Sequence, residues 1–147
     1  MRWLGSLTVA VVVVAAFSGC ARESTKYPEV RPHAGEVTVD LAGIPGGSGR
    51  FFTYRAAADK RVDFLVYRDG SGAPHAVLDA CQTCYRWKKG YALDRNEVVC
   101  IKCDMRFKLD ELAQGSGSCV PVRIAAELRA GALVIPVSHL EAGARYF

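Results

Sequence analysis

The sequence is poor in the residues and motifs that most catalytic sites need. Histidine occurs only three times in 147 residues, as His33, His75 and His139, and none of the three lies next to a cysteine. No Ser-His-Asp set, phosphate-binding loop or pair of catalytic carboxylates can be recognised. These absences give no support to hydrolysis or group transfer, and they leave open whether the protein is an enzyme at all.

Long hydrophobic runs are also missing, apart from one at the N-terminus. Residues 1–19 contain one basic residue, Arg2, and an apolar run from Leu7 to Phe17 that is too short to span a bilayer. Small residues then precede Cys20, as in a bacterial lipoprotein signal. We predict a signal peptide over residues 1–19 and acylation of Cys20, with an ordinary secretory signal as the alternative.

The segment that follows the signal is polar. Residues 20–35 contain two prolines and no hydrophobic periodicity, so we expect a lipidated tether. A lipid on Cys20 would hold the protein on the extracytoplasmic side of the cell envelope. Ala21 in place of Asp points to the outer membrane and its periplasmic face. An exported chain does not meet nucleic acid, so no nucleic-acid partner is expected.

Residues 36–147 have the pattern of one small, mostly antiparallel β domain. Segments rich in aromatic and β-branched residues alternate with Gly/Ser-rich stretches, and two of them flank a short connection typical of a hairpin. Helical turns are expected only at 110–114 and 136–143. The predicted strands are 36–43, 50–56, 61–69, 74–80, 96–100, 105–109, 119–124 and 132–137.

Two CxxC pairs give the strongest signal in this domain. Fifteen residues separate the pair Cys81 and Cys84 from the pair Cys100 and Cys103. This spacing is typical of zinc sites, and four thiolates suit iron–sulfur clusters equally well. Each pair follows a β segment, so two neighbouring hairpin tips would bring the four sulfurs together. The alternatives are two disulfides, which an oxidising envelope permits, or a thiol–disulfide or metallochaperone protein.

A fifth cysteine, Cys119, follows a Gly/Ser-rich stretch and precedes Val120 and Pro121. It is either a reserve or alternate ligand of the same site, or a free or packing thiol. Three aromatic residues close to the cysteines, Trp87, Tyr91 and Phe107, are expected to pack around the site and exclude water.

Positive charge is concentrated around the cysteines, although the whole chain carries only +4 at pH 7. Between Tyr85 and Lys108 there are seven basic and three acidic residues. Lys and Arg side chains near thiolates lower the thiol pKa and stabilise the negative charge of a four-thiolate site. The same charge would steer an acidic-faced redox partner protein, while the alternative is an ordinary solvated surface.

The run from Leu78 to Phe107, followed by GSGSCVPVRI and LRAGALVIPVSHL, resembles the FtrD-like membrane iron–sulfur domain family. In that family two CxxC pairs precede a Gly-Cys-x-Pro segment, which here begins with Ser118. The resemblance covers about residues 36–147. It implies an electron carrier in an iron or metal uptake or respiratory context, with an iron–sulfur cluster held by Cys81, Cys84, Cys100 and Cys103.

A looser similarity to Rieske ferredoxins supports a fold of Rieske-like or zinc-ribbon-like hairpins. Rieske sites contain two His ligands, whereas this chain has Thr83 at the first such position and Cys103 at the second. An all-thiolate cluster would have a lower reduction potential than a Rieske centre. Because Arg2 is the single arginine of the signal, export of an unfolded chain is expected, and zinc is then easily acquired afterwards. A zinc-stapled, partner-binding module is therefore the alternative.

Overall fold

The computed structural model describes residues 27–147, so the predicted signal peptide and Cys20 lie outside the described residues. This part of the chain contains eleven strands and two short α-helices, α1 (Leu109–Leu112) and α2 (Val137–Gly143). The strands are β1 (Glu29–Val30), β2 (Glu36–Asp40), β3 (Ser48–Arg55), β4 (Arg61–Arg68), β5 (Pro74–Cys81), β6 (Tyr91–Asp94), β7 (Glu97–Cys100), β8 (Arg106–Lys108), β9 (Pro121–Ile124), β10 (Glu127–Arg129) and β11 (Ala132–Pro136). Between residues 27 and 147 no helix is long and apolar enough to cross a membrane.

The strands form three sheets. The largest has the order β1-β3-β4-β5-β9, and the two smaller ones have the orders β10-β11-β2 and β6-β7-β8. Every neighbouring pair is antiparallel except β1 with β3. The β3–β4 pair is the hairpin expected from the sequence. The prediction of a mostly antiparallel β domain is confirmed.

Alternation along the strands of the large sheet creates a hydrophobic core on each of its faces. In β4, Phe64 and Val66 belong to the first core, whereas Leu65 and Tyr67 belong to the second. Successive side chains of a strand point to opposite faces, so a run of apolar residues with no polar alternation indicates a strand buried on both sides. The large sheet is therefore the middle layer of the domain.

The first core joins the large sheet to β2, β11 and α2. Leu140 of α2 is fully buried in it, and Gly143 lies so close to the sheet that an added Cβ would meet Leu78 side-chain carbons at 2.9 Å. This core contains none of the five described cysteines. It holds the scaffold together on the face opposite the thiols.

The second core joins the other face of the large sheet to the β6-β7-β8 sheet and α1. Its buried members include Cys81 and Cys100, together with Tyr91, Val98 and Leu112. Cys100 lies directly opposite Tyr91 in the β6–β7 register. Two of the predicted ligands thus belong to a packed core and are not on a flexible surface loop.

The ordered domain begins before residue 36. Residues 20–35 were expected to form a tether, but within them Glu29 and Val30 pair in parallel with Thr53 and Tyr54 of β3. The ring of Tyr27 stacks on Phe51 with 4.7 Å between the ring centroids. Although this segment is mostly polar, Tyr27 and Val30 pack against the large sheet.

Two further strands were not expected from the sequence. All three residues of β10 are exposed, and β6 has only one buried residue, Tyr91. β10 is therefore fixed by backbone pairing with β11 and not by a hydrophobic pattern of its own, whereas β6 pairs with β7 and also packs Tyr91 and Leu93 against the second core.

Candidate metal centre

The first CxxC pair lies at the start of the connection between the large sheet and the small β6-β7-β8 sheet. Cys81 is the last residue of β5, and a 3-10 turn over Tyr85–Trp87 follows Cys84. The backbone N–H of Cys84 donates a hydrogen bond of 2.9 Å to the Sγ of Cys81. The expectation of a hairpin tip is not met here, because the chain leaves β5 for a different sheet.

The second CxxC pair does lie at a hairpin tip, between β7 and β8. Two backbone hydrogen bonds close its turn, from the Cys100 N–H to the Met105 carbonyl at 2.9 Å and from the Asp104 N–H to the Cys100 carbonyl at 2.8 Å. The Ile101 N–H also donates to the Gly90 carbonyl at 3.1 Å. This last bond ties the second cysteine turn to the loop that follows the first.

The sulfur atoms from both pairs converge, and Cys119 joins them. Cys81, Cys84 and Cys100 form one group with all Sγ atoms within 4.8 Å of one another, and Cys84, Cys103 and Cys119 form another. Cys84 belongs to both groups, so the five thiols form one cluster. The Sγ of Cys119 lies 3.3 Å from that of Cys103 and 3.9 Å from that of Cys84. All five are free thiols.

Exposure increases from one side of this five-thiol cluster to the other. Cys81 and Cys100 are buried, Cys84 and Cys119 are half-buried, and Cys103 is exposed. The two buried thiols are fixed by strands of the second core, whereas the exposed one is in the β7–β8 turn. A metal held here would be enclosed by protein on one side and accessible through Cys103 on the other.

The environment affects the acidity of the thiols in different directions. Burial, followed by hydrogen bonds to Cys119 and Cys81, raises the pKa of Cys84. Burial also raises the pKa of Cys100, against the opposing effect of nearby backbone N–H groups. The backbone N–H of Met105 and then the Cys119 thiol lower the pKa of Cys103. Cys103 is therefore better prepared than Cys84 or Cys100 to act as a thiolate, the form that binds metals.

Two side chains hold the segment that carries Cys119. The hydroxyl of Thr83, inside the first CxxC, donates to the carbonyl of Ser118 at 2.5 Å. The hydroxyl of Tyr91 donates to the carbonyl of Cys119 itself at 2.6 Å. Burial raises the pKa of Tyr91, so the phenol remains a proton donor. The hydrogen bonds from Thr83 and Tyr91 thus hold Cys119 beside the two CxxC pairs.

Asp79 organises the loop between the first cysteine pair and β6. Its buried carboxylate accepts the Tyr91 N–H at 2.5 Å. Gly90 has a φ of +68°, and a Cβ there would lie 2.5 Å from an Asp79 carboxylate oxygen. Neither Asp79 nor Thr83 was predicted as a site residue. The only local signal was the position of each residue within two places of Cys81, because the contact partners lie far along the chain.

The three aromatic residues predicted around the site behave differently. Tyr91 is buried and Phe107 packs, partly buried, against the second core. Trp87 is 51 % exposed, so the expectation that it shields the site from water is wrong. Its ring lies instead beneath the ammonium group of Lys102, with Nζ 4.9 Å from the ring centroid.

A positively charged cavity of about 880 Å³ opens beside the cluster and reaches three of the cysteines, Cys81, Cys84 and Cys100. Four lysines on its wall form no ion pair within residues 27–147. They come from three separate segments and are Lys60, Lys88, Lys89 and Lys102. Their charge would stabilise the net negative charge of a thiolate-bound metal.

The donor set fits a thiophilic metal group. Only thiols take part in the two ligand groups, which suits zinc or an iron–sulfur cluster and excludes the oxygen-rich coordination that Ca²⁺ and Mg²⁺ require. A tetrahedral ion with bonds of about 2.3 Å separates neighbouring sulfurs by about 3.8 Å. The distance of 3.9 Å between Cys84 and Cys119 agrees with that value. The cluster of thiols can therefore bind a metal.

Comparison with known proteins agrees with this chemistry. The family model described as "Membrane iron-sulfur containing protein FtrD-like" matches residues 45–147, which include all five clustered cysteines and more than half of the chain. No curated protein matches the chain significantly. The chain therefore belongs to the FtrD-like family of membrane iron–sulfur containing proteins.

Proposed function

We propose that this protein is a membrane-anchored iron–sulfur electron carrier of the cell envelope, acting in iron or metal uptake or in respiration. The observation that carries the proposal is the convergence of five free thiols on one site in a chain whose family is described as iron–sulfur containing. The resemblance described above supplies the uptake context. No substrate site with catalytic acids, bases or nucleophiles other than thiols was recognised in the sequence.

The residues of the chain would divide the work of holding the group. Cys81, Cys84, Cys100 and Cys103 would be the primary ligands, and Cys119 would be an alternate ligand beside Cys103. When bound, an iron–sulfur cluster supplies one-electron chemistry, and an all-thiolate site favours a low potential. The second core packs against Cys81 and Cys100 and would hold these two ligands in place. The backbone N–H of Cys84 donates to the Cys81 sulfur and would fix the position of this ligand.

Membrane attachment would come from the lipid on Cys20. The family description as a membrane protein supports attachment, and a thioether-linked diacylglycerol with a further acyl chain would hold the protein firmly at a bilayer surface. The extracytoplasmic side, and the periplasmic face of the outer membrane, follow from the lipoprotein signal and Ala21. Metabolic labelling with radioactive palmitate tests this part: the wild-type chain should be labelled and Cys20→Ala should not.

Reversible one-electron reduction is the direct test of the carrier role. The anaerobically purified full chain should show visible absorption that bleaches in one step on reductive titration, with an electron paramagnetic resonance signal in one oxidation state. Cys81→Ser removes a buried ligand and should abolish both signals. A wild-type protein that binds metal but takes up no electron over the range accessible to dithionite would contradict the proposal.

A zinc-stapled, partner-binding module is the second candidate. The Cys84 and Cys119 sulfurs, 3.9 Å apart, would suit two ligands of one tetrahedral zinc ion. Zinc would join β5, the β7–β8 turn and the Cys119 segment without redox chemistry. The purified protein would then be colourless, would contain one zinc per chain and would unfold when a strong chelator is added.

A further inference from the structure

Exposed apolar side chains are concentrated around the thiols. Among residues 27–147, four large apolar side chains are highly exposed: Trp87, Ile101, Met105 and Leu128, at 51, 48, 50 and 59 %, respectively. The first three follow Cys84, Cys100 and Cys103 at distances of three, one and two residues. Single exposed apolar residues are normal on a protein surface, whereas a group beside a functional centre indicates a contact surface.

These three residues and the exposed thiol belong to adjoining loops, and together we call them the thiol face: Trp87, Ile101, Cys103 and Met105. The last three lie in the turn that the Cys100–Met105 backbone hydrogen bond closes. Lys102 extends from that turn over the Trp87 ring, which joins the two loops. The side of the cluster least covered by protein thus opens within an apolar surface.

Unpaired basic residues surround the thiol face. Arg86, Lys88, Lys89 and Lys102 are all exposed, and none of them forms an ion pair with a carboxylate in the described part of the chain. Arg106, on the neighbouring strand, contrasts with them, since it pairs with Asp94 and Glu97 at 3.0 and 3.3 Å. The two cysteine-bearing loops therefore carry positive charge that no carboxylate of the described residues neutralises through an ion pair.

We infer that the thiol face is the docking surface for a redox partner protein whose own centre lies under an apolar patch ringed by Asp and Glu. This inference rests on the proposed electron-carrier function. Opposite charges would speed the encounter, and the apolar contact would expel water between the two centres. The small size of the face suits the short-lived complexes that electron-transfer proteins form. An anionic membrane would also attract the basic residues, but it would cover Cys103 with lipid.

Binding can be measured independently of electron transfer. The full chain, labelled with ¹⁵N and loaded with zinc in detergent micelles, would be titrated with cytochrome b5 as a purified acidic redox protein. We expect amide shift changes confined to residues 86–89 and 101–105, decreasing as salt is raised from 20 to 200 mM. No shifts in these loops, or shifts spread evenly over the domain, would overturn the inference. Because zinc is redox-inactive, failure of the carrier proposal would not affect this result.

Matched variants separate the face from general surface effects. Trp87→Ser and Met105→Ser should each weaken binding about threefold to tenfold, while Leu128→Ser, at an apolar residue of β10 that is at least as exposed, should have no effect. Lys89→Glu should weaken binding by a similar factor, and Arg31→Glu, an exposed basic residue outside the two loops, should not. Equal effects of face and control variants would overturn the inference.

An experiment with lipid nanodiscs decides whether the thiol face binds a partner protein or an anionic membrane. The same labelled protein would be mixed with nanodiscs of phosphatidylcholine alone or with 30 % phosphatidylglycerol. If anionic nanodiscs change the amide shifts of the two loops and the acidic cytochrome does not, the surface faces the membrane and the partner-protein inference is refuted. Shifts caused by the cytochrome in the presence of either nanodisc would support it.

Discussion

The hydroxyl of Tyr91 donates a 2.6 Å hydrogen bond to the backbone carbonyl of Cys119, 28 positions along the chain. Tyr91 also lies opposite Cys100 in the β6–β7 register, and its backbone N–H donates a hydrogen bond to the Asp79 carboxylate. One buried residue therefore connects the large sheet, the second cysteine pair and the fifth cysteine. The position of Cys119 beside the cluster is part of the packed structure of the domain.

Tyr91→Phe tests this connection. Loss of the hydroxyl leaves a partly buried carbonyl unpaired, so the free energy of unfolding should fall by about 1–2 kcal/mol, as measured by denaturant titration. The bound metal should also be lost to a chelator more quickly. Tyr85→Phe is the control, because the Tyr85 hydroxyl has no hydrogen-bond partner among the described residues. Identical behaviour of the two variants would contradict the positioning role.

Substitutions of the two outer thiols should not be additive. Cys103 and Cys119 have sulfurs 3.3 Å apart at the exposed side of the cluster, so each can replace the other as the fourth ligand. We expect Cys103→Ser and Cys119→Ser to retain most of the metal with altered absorption spectra, and the double variant to lose it. Cys100→Ser removes a buried ligand, so this single substitution should be enough to abolish metal binding.

The ligand role of Cys119 has a clear contrary outcome. If Cys119→Ser leaves both metal content and spectrum unchanged, and the double variant behaves as Cys103→Ser does, then Cys119 is only a neighbouring thiol. Metal analysis and visible spectroscopy on the four purified variants are sufficient.

Gly90→Ala should damage the site more than its backbone conformation alone explains. An added Cβ would lie 2.5 Å from the Asp79 carboxylate, which must then move away from the Tyr91 N–H. Gly131 provides the control, since its φ is +80° and nothing lies within 4 Å of its Cβ position. Both variants have the strain of a positive φ, about 1 kcal/mol. Gly90→Ala should be less stable than Gly131→Ala and should bind metal more weakly; equal stability would contradict the role of Asp79.

The large sheet could be predicted because its buried strands are rich in apolar, aromatic and β-branched residues. The β4 residues Val62–Tyr67 form a nearly unbroken apolar run, and Asp63 is the one carboxylate inside it. The second cysteine turn was also predictable, since β7 and β8 are neighbours in sequence and a short hairpin fixes Cys100 and Cys103 together. In both cases the residues that determine the structure are close together in the sequence, so the sequence was sufficient to predict it.

Long-range placement was not predictable in the same way. Cys119 meets Cys84 across 35 positions, and their approach depends on the packing of three sheets. The exposure of Trp87 could not be anticipated either, because an aromatic residue beside a CxxC pair is compatible with packing and with solvent. Val30 lies in a segment of polar composition, and only its pairing with β3 reveals that it is part of the domain.

Stability should fall at alkaline pH through Tyr54, which attaches β3 to α2. Its hydroxyl donates to Glu141 at 2.7 Å, and burial followed by this bond raises the pKa of Tyr54 from 10.0 to about 12. A raised folded-state pKa contributes stability that is complete below pH 10 and is lost as pH rises through about 12. The wild type should therefore exceed Tyr54→Phe in free energy of unfolding at pH 8 and lose that advantage between pH 10 and 12. A difference that is constant from pH 8 to pH 12 would show that the hydroxyl is not linked to folding.

Chemical analysis of the metal tests the central claim most directly. The full chain, purified without oxygen, should contain iron and acid-labile sulfide in equal amounts, with little zinc, and should be brown. Cys81→Ser, purified in parallel, should contain neither iron nor sulfide above background. One zinc per chain in a colourless protein, with no iron and no sulfide, would contradict the iron–sulfur account.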